Sequence, residues 1–198
     1  MRTRGESIRH QRDALIEWAT KLGRTRTFSY VDRFMRVSEG AEHCVFHDSE
    51  RGVAVKTTHV NRFEHSAYGE GIPATLLEYL ERLEWQNTLF GDDIRIEGVA
   101  SDEGQIEIIT TQPWIVAHSD APTPAQSEID AYFAEFGFRK VEVNPDVPIY
   151  FHPELQIIVA DAHDRNILRN ETGRLVPIDL VIGSPGPLLT RQLHDRLA

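Results

Sequence analysis

Two short segments hold most of the information in this chain: Asp161-Ala162-His163-Asp164-Arg165-Asn166-Ile167-Leu168 and Pro177-Ile178-Asp179-Leu180. Apolar runs at 167–169 and 175–180 flank a turn that contains glycine, and this pattern predicts a β-hairpin. The hairpin would bring Asn166 and Asp179 to one end, with Asp161 on the loop beside them. A carboxylate in an apolar strand also needs a partner, because an unpaired buried charge costs several kcal/mol.

These three side chains predict a site for metal and phosphate chemistry. An amide oxygen and a carboxylate that face one pocket are hard-oxygen ligands, suited to a Mg²⁺ ion that holds the phosphates of a nucleotide. A second carboxylate nearby can accept the proton of a hydroxyl that attacks the γ-phosphoryl group.

The composition is that of an acidic globular protein. The 198 residues suffice for one domain or for two small lobes that share a cleft. Hydrophobic residues make up 40% of the chain and charged residues 26%, which supports a packed core. The formal net charge of −10 disfavours nucleic-acid binding, because that binding depends on neutralising phosphates. The single cysteine, Cys44, excludes an internal disulfide and a cysteine-based zinc cluster.

No segment predicts membrane insertion or secretion. No apolar run approaches the ~20 residues needed to span a bilayer, and the N-terminus lacks the apolar stretch of a signal peptide. We therefore expect a cytoplasmic protein with no membrane partner.

The N-terminal segment is basic, although the chain is acidic. Residues 1–36 contain nine Lys and Arg and four Asp and Glu. The apolar spacing over residues 7–22 predicts a helix. This basic helix would pack on the body of the protein or recruit a protein partner, and a solvated helix face is the simpler interpretation of its charge.

Between the N-terminal helix and the segment that begins at Asp161, the pattern predicts strands and helices in a defined order. Strands are predicted at 44–46 and 53–57, a helix over 74–87, strands at 94–100 and 105–111, and a connector over 112–124. A second helix would run to about Phe136, with Thr123 as its N-cap and Pro124 in its first turn.

The motifs resemble a known family. Asp161 and Asn166 reproduce the Asp-x-x-x-x-Asn spacing of the kinase catalytic loop, with Asp179 across a hairpin as the metal-binding residue. The histidine two positions after Asp161 is similar to the loop of aminoglycoside phosphotransferases and choline kinases. Over residues 38–182 the whole pattern resembles the kinase-like domains of bacterial and phage polyvalent proteins. The segments that carry this resemblance are Gly40-Ala41-Glu42-His43, Glu78-Tyr79-Leu80, Asp161 to Asn166 and Pro177-Ile178-Asp179.

The resemblance implies catalytic and metal-binding roles. Lys56, in Val53-Ala54-Val55-Lys56, would grip the α- and β-phosphates of ATP. Glu78 would pair with Lys56, and Glu81 is the second choice for that role. Asp161 would be the catalytic base, and Asn166 and Asp179 would hold Mg²⁺.

The resemblance also implies a nucleotide site. Gly40, Glu42 and His43 would cover the phosphates. The segment Gln112-Pro113-Trp114-Ile115 would be the hinge between two lobes, where backbone groups meet the adenine ring, with Gln112 and Trp114 as the binding residues.

The departures from the family pattern favour a reduced fold. The Gly-x-Gly-x-x-Gly loop is missing, no glycine follows Asp179, and 19 residues remain after it. We expect an α+β, minimal two-lobed protein-kinase-like fold with a truncated C-lobe. Residues 1–37 would form a basic helical extension, 38–117 the N-lobe, and 118–198 a reduced C-lobe with the catalytic loop.

The function expected from these residues is ATP- and Mg²⁺-dependent transfer of a γ-phosphoryl group to a hydroxyl of a protein or small-molecule acceptor. The first alternative is a nucleotide-binding pseudokinase that acts as a non-catalytic interaction module, which the missing glycine loop favours. The second alternative is a metal-dependent hydrolase, which leaves Lys56 and the glutamate-rich helix without a role. Its ligands would come from His152, Asp161, His163, Asp164 and Asp179.

Overall fold

The structure is a computed structural model that describes residues 4–63, 73–121, 123–144 and 147–197. The described residues divide into two compact units. The first comprises 4–63, 73–80 and 92–114, and the second comprises 81–91 and 115–197. No helix in the described ranges combines the length and the apolar character needed to cross a membrane.

Both units contain helices and strands. In chain order the elements are α1 (Arg4–Lys21), β1 (Thr25–Arg26), a 3₁₀ helix (Phe28–Arg33), β2 (Met35–Glu39), β3 (His43–Asp48), β4 (Val53–Thr58), α2 (Leu76–Phe90), β5 (Arg95–Asp102), β6 (Gln105–Pro113), α3 (Gln126–Glu135), β7 (Arg139–Asn144), β8 (Val147–His152), β9 (Ile157–Ala160), β10 (Ile167–Arg169), β11 (Leu175–Pro177), β12 (Val181–Gly183) and α4 (Pro187–Leu197).

The first unit is built on a six-stranded sheet in the order β1-β5-β6-β4-β3-β2. All neighbours are antiparallel except β1, which runs parallel to β5. The sequence prediction of a hairpin at 44–46 and 53–57 is confirmed by β3 and β4. The helix and the two strands predicted next are confirmed by α2, β5 and β6.

The two faces of this sheet have different roles. Phe46 and Val55 face the 3₁₀ helix and pack with Val31 and Ile109 in an apolar core. Because side chains alternate along a strand, Lys56 points to the opposite face.

The N-terminal segment approaches the sheet closely at Gly98. The amide of Val99 donates to the carbonyl of Arg24, and the β5–β6 register shifts between Ile96 and Gly98. A Cβ on Gly98 would lie 2.5 Å from Cγ of Arg26 and 2.7 Å from the carbonyl oxygen of Arg24. Only glycine therefore permits β1 to dock on β5 in this way.

The second unit has a four-stranded antiparallel sheet in the order β12-β9-β8-β7, and the separate hairpin β10-β11. Strand β9 shows how the sheet is covered, because its side chains alternate. Ile157 and Val159 enter a core shared with Phe133 of α3, whereas Ile158 enters a core shared with Leu193 of α4. The sheet is thus covered by a helix on each face.

Two local predictions were wrong. The strand predicted over 175–180 ends at Pro177, so Asp179 lies between β11 and β12 and not within a strand. Helix α3 begins at Gln126 because the carboxylate of Glu128 accepts the amide hydrogen of Ala125 at 2.8 Å, which makes Ala125 the N-cap in place of Thr123.

A polar cluster ties α3 to the sheet of the second unit. Oδ1 of Asp130 accepts hydrogen bonds from the Tyr150 hydroxyl at 2.6 Å and from Nε2 of Gln126 at 3.0 Å, and Oδ2 accepts one from Nζ of Lys140 at 2.8 Å. Partial burial acts to raise the pKa of Asp130, but the hydrogen bonds from Lys140, Tyr150 and Gln126 outweigh it, so the pKa is lowered. Burial, together with the adjacent carboxylate, raises the pKa of Tyr150.

We predict that Gly98→Ala destabilises the protein by about 1–3 kcal/mol, because the added methyl group forces β1 away from β5. Chemical denaturation followed by circular dichroism measures the change. Gly40→Ala is the matched control, since among the described residues the nearest atom to a Cβ there is the His43 carbonyl oxygen at 3.7 Å. Equal losses in the two variants would contradict the proposed close approach.

We predict that Asp130→Asn lowers the free energy of unfolding at neutral pH by about 1 kcal/mol. The pKa of Asp130 is lower in the folded state than its ordinary value of 3.8. Its contribution to stability is therefore complete above that value and is lost as the pH falls through the folded-state pKa. The free energy of unfolding, measured between pH 7 and pH 3, should fall less steeply with decreasing pH in Asp130→Asn than in the wild type. The control is Glu135→Gln, on an exposed position of the same helix, and identical pH profiles for wild type and Asp130→Asn would refute the prediction.

Candidate active site

The loop after β9 turns sharply at Asp161. This residue has a φ of +57°, in the left-handed region that few residues other than glycine adopt. Its carbonyl oxygen accepts hydrogen bonds from the amide of His163 at 3.1 Å and from Nδ2 of Asn166 at 2.9 Å. These two bonds hold the unusual conformation and direct the exposed side chain of Asp161 away from the core.

The carboxylate of Asp161 is oriented from both sides. Nδ2 of Asn166 donates to Oδ2 at 2.7 Å, and Nε2 of His163 lies 3.3 Å from Oδ1. Nδ1 of His163 accepts the amide hydrogen of Arg165 at 3.1 Å, so the ring proton of a neutral His163 sits on Nε2 and faces the carboxylate. About half of the Asp161 side chain is exposed, at 52%. An approaching hydroxyl can therefore reach this oriented base.

The amide of Asn166 has a defined orientation. Its NH₂ group faces two acceptors of Asp161, the carbonyl and the carboxylate, so Oδ1 must point elsewhere. Oδ1 accepts no hydrogen bond within the described part of the chain. The backbone carbonyl of Asn166 accepts the amide hydrogen of Ile178 at 2.8 Å, which ties this loop to the residue before Asp179. The backbone thus places the residue before Asp179 next to Asn166, and a shared metal site for the two side chains stays a prediction.

Asp179 forms an ion pair with a residue that sequence reasoning missed. NH2 of Arg82, on α2, lies 2.8 Å from Oδ1 of Asp179. The Arg82 side chain is 4% exposed and that of Asp179 is 32% exposed. Next to Arg82 on the buried face of α2, Nε2 of Gln86 donates to the carbonyl of Pro177. The helix therefore holds the turn that carries Asp179 by a charged and a neutral hydrogen bond.

The sequence contains a pattern that indicates the burial of Arg82. Leu76, Tyr79, Arg82 and Gln86 follow each other at helical spacing on one face of α2, and all four are buried. An arginine on such a face needs an acidic partner, because a buried charge is rarely left unpaired. The partner could not be identified from spacing alone, since it lies 97 positions further along the chain.

Lys56 and Glu78 both belong to the first unit. Lys56 is half-buried on β4, opposite Val45 of β3 and Thr110 of β6. Glu78 is also half-buried and forms a capping box with Thr75: its Oε2 accepts the Thr75 amide hydrogen at 2.5 Å, and Oγ1 of Thr75 accepts the Glu78 amide hydrogen at 3.3 Å. Glu81 is exposed. The pairing of Glu78 with Lys56 stays a prediction.

The segment predicted to cover the phosphates forms a tight turn between β2 and β3. The amide of Gly40 donates to the carbonyl of His43 at 2.8 Å, which closes the turn. The side chains of Glu42 and His43 are buried, and Nε2 of His43 lies within hydrogen-bond distance, 3.0 Å, of the Tyr79 hydroxyl on α2. The turn is therefore fixed to the start of α2, and its role over the phosphates stays a prediction.

The predicted hinge begins at the end of β6. Gln112 is buried, and its Nε2 donates to Oδ2 of Asp92 at 3.0 Å. Trp114 stacks on His47 with ring centroids 4.0 Å apart, and its amide donates to the carbonyl of Gly52. Both predicted adenine-binding residues are thus held in place by the first unit itself.

The metal-dependent hydrolase alternative gains no support from the geometry. Within the described ranges, no three of the five residues proposed for it bring ligand atoms within 4.8 Å of one another. A different group, Glu39, Cys44 and His59 of the first unit, does meet that distance. The guanidinium of Arg36 already lies against Glu39 and 3.7 Å from Sγ of Cys44, and this positive charge opposes a metal ion there.

The chain belongs to the family of serine/threonine/tyrosine kinases found in polyvalent proteins, whose family model matches residues 9–183. No curated protein and no solved structure matches the chain. The α+β, two-lobed kinase-like fold expected from the sequence is confirmed by the family and by the two units.

Family membership supports a kinase-like phosphotransferase, a class of enzymes that uses a nucleotide, a divalent metal ion and an acceptor. It confirms the resemblance to the kinase-like domains of polyvalent proteins. The similarity of the catalytic loop to aminoglycoside phosphotransferases is not shown by it and stays a prediction.

We predict that Arg82→Met destabilises the protein by about 2 kcal/mol, because it removes the guanidinium that donates a hydrogen bond to the Asp179 carboxylate. The loss should be smaller than the roughly 3–5 kcal/mol typical of fully buried pairs, since Asp179 is about one-third exposed. A double-mutant cycle with Asp179→Asn should give a coupling energy of about 1–2 kcal/mol in denaturant unfolding.

The matched control for this cycle is Arg191→Met, an exposed arginine on α4, combined with Asp179→Asn. The losses of stability caused by Arg191→Met and Asp179→Asn should be additive. Additive losses for Arg82→Met and Asp179→Asn would mean that the ion pair contributes nothing to stability.

Proposed function

We propose that the protein is an ATP- and Mg²⁺-dependent phosphotransferase that moves the γ-phosphoryl group to a hydroxyl of a protein or small-molecule acceptor. In the reaction, the acceptor oxygen forms a bond to the γ-phosphorus, the bond from that phosphorus to the bridging oxygen breaks, and ADP leaves. Asp161 takes the proton of the acceptor hydroxyl.

The observation that carries the proposal is the geometry of the loop from Asp161 to Asn166. The carboxylate is exposed, and its two oxygens are oriented by Asn166 and His163. The Asn166 amide is uncharged, so it orients the carboxylate without neutralising the negative charge that lets Asp161 attract a proton. A base that is already oriented loses little entropy when the acceptor arrives.

The residues fit a hard divalent cation. The NH₂ group of Asn166 faces Asp161, so its Oδ1 is the atom available to a cation. Asp179 supplies a carboxylate whose position is fixed by Arg82. Amide and carboxylate oxygens are the ligand types that Mg²⁺ prefers, and when bound the ion would neutralise charge on the phosphate oxygens. The ion pair with Arg82 supports this role, because it limits Asp179 to one orientation.

In the first unit, Lys56 would bind the α- and β-phosphates, and Glu78 would orient Lys56. The capping box supports the role of Glu78, because it fixes the glutamate at the first turn of α2. Gly40, Glu42 and His43 would lie near the phosphates, and Gln112 and Trp114 near the base.

A second candidate function is a nucleotide-binding pseudokinase that acts as a non-catalytic interaction module. The turn at Gly40 favours it, because the Gly40 amide is bonded to the His43 carbonyl. This turn therefore offers fewer backbone donors to phosphate than a glycine-rich loop does.

We predict that the full chain binds ATP with a Mg²⁺-dependent affinity, and that Asp179→Asn removes the Mg²⁺-dependent part. Asp161→Ala should keep ATP binding and lower ATP turnover by about 10²–10⁴-fold, the usual contribution of a general base. Calorimetric titration of ATP with and without Mg²⁺ measures binding, and release of ADP measures turnover. The control is Glu154→Ala, an exposed glutamate outside the site, which should match the wild type in both.

The outcomes separate the candidates. If ATP binds but turnover is the same in wild type and Asp161→Ala, the phosphotransferase proposal fails and the non-catalytic module is favoured. If no ATP binds at millimolar concentration with Mg²⁺, both candidates fail.

A further inference from the structure

Strand β2 is an open edge of the six-stranded sheet. It is the last strand in the sheet order, and β3 is its neighbour on one side. All five of its residues are exposed. Within the described ranges, the backbone of Met35–Glu39 forms hydrogen bonds with β3 alone. An edge of this kind leaves a row of N–H and C=O groups with which another strand can pair.

The side chains of β2 do not exclude such a strand. Met35 and Val37 are 65% and 47% exposed, so the edge offers apolar contacts. Edge strands are commonly protected by charges of one sign, which repel a second strand. The charged residues of β2 are instead one arginine and one glutamate, Arg36 and Glu39. A strand that carries the complementary pair is therefore attracted to this edge.

A β-bulge places these two charges on the same face of the sheet. The register shifts between Arg36 and Ser38, so that Arg36 lies opposite Phe46 and Glu39 lies opposite Cys44. Phe46 and Cys44 are two apart on β3 and share a face. On this face the guanidinium of Arg36 contacts the carboxylate of Glu39, and the two side chains are 54% and 56% exposed. The edge thus presents a positive and a negative group side by side.

The arrangement of charges on β2 is complementary to itself. When a second copy of β2 approaches antiparallel, with the two-fold axis between Val37 and Ser38, Arg36 of each copy lies opposite Glu39 of the other. Residues directly opposite each other in antiparallel strands share a face, and this register meets that condition for both charged residues. Moving the axis onto Val37 would set Arg36 against Ser38, which lies opposite Val45 on the other face.

We propose that the protein forms a dimer through antiparallel pairing of β2 with β2 of a second copy, which joins the two six-stranded sheets into one continuous sheet. Backbone hydrogen bonds supply the pairing, and the two contacts between Arg36 and Glu39 of different copies set the register. A pair of five-residue strands is smaller than the standard interface of about 1,600 Å², so we expect a dissociation constant in the micromolar range. The inference does not depend on the proposed phosphotransferase function.

The test is the dependence of the molecular mass of the full chain on its concentration. Analytical ultracentrifugation of the wild type between about 1 and 500 µM should show an equilibrium between monomer and dimer. Arg36→Glu and Glu39→Arg should each weaken the dimer about tenfold, because each variant places like charges opposite each other at both contacts.

A mixture of the two variants identifies the surface and the register. Equimolar Arg36→Glu and Glu39→Arg chains restore opposite charges at both contacts between copies, so they should form a heterodimer with a dissociation constant close to that of the wild type. The contact between Arg36 and Glu39 within one chain is lost in both variants and is not restored by mixing, so a purely local role predicts no recovery. Arg139→Glu, at an exposed position of the edge strand β7, is the matched control and should leave the equilibrium unchanged.

The wild-type measurement decides the matter even if a variant fails to fold. A wild type that stays monomeric up to about 500 µM overturns the inference. A dimer that survives both charge reversals, or a mixture that shows no recovery, also overturns it, because the copies would then pair through another surface or register. None of these outcomes bears on the proposed phosphotransferase function, which is tested by ATP binding and turnover.

Discussion

The candidate catalytic loop depends on apolar residues that alternate with its polar ones. Ala162, Ile167 and Leu180 are all buried in one core of the second unit. Each of them directly follows one of the three predicted functional residues, so burying the apolar side chain fixes the backbone beside the polar one. Burying Ile167 and Leu180 together contributes about 3–6 kcal/mol, which exceeds the roughly 1–3 kcal/mol cost of holding Asp161 in the left-handed region. The hydrophobic core thus defines where the polar groups can be.

Electrostatic interactions then restrict the orientation of the polar side chains that the core positions. Arg82 is nearly inaccessible to solvent, so the free energy of its burial depends on an acidic partner. Asp179 is that partner, and the pair joins α2 to the turn between β11 and β12. A helix whose buried face carries an arginine cannot slide or rotate against this turn without breaking the pair. The ion pair therefore restricts the position of this part of α2 relative to the turn.

Sequence patterns predicted those features that depend on local chemistry. The hairpin of β3 and β4 and helix α2 follow from short-range spacing, and the loop from Asp161 to Asn166 follows from a motif whose members lie five positions apart. The end of β11 at Pro177 was missed because the apolar pattern continues to Leu180, which is buried between β11 and β12 and belongs to neither strand. The partner of Arg82 was missed because no local pattern encodes a contact across 97 positions. Fold class was therefore accessible from the sequence, and the long-range polar pairs were not.

The same physical rule acts at two amides in this protein. An amide side chain is ambiguous by itself, since its two ends differ in hydrogen-bonding character but hardly in shape. A carboxylate removes the ambiguity because it accepts only from the NH₂ end. Asp161 does this to Asn166, and Asp92 does it to Gln112. In each case the amide oxygen points away from the acid, and at Asn166 it is suited to a cation. Acid–amide pairs of this kind turn a symmetric-looking side chain into a directional acceptor, and their specificity follows from the acid as much as from the amide.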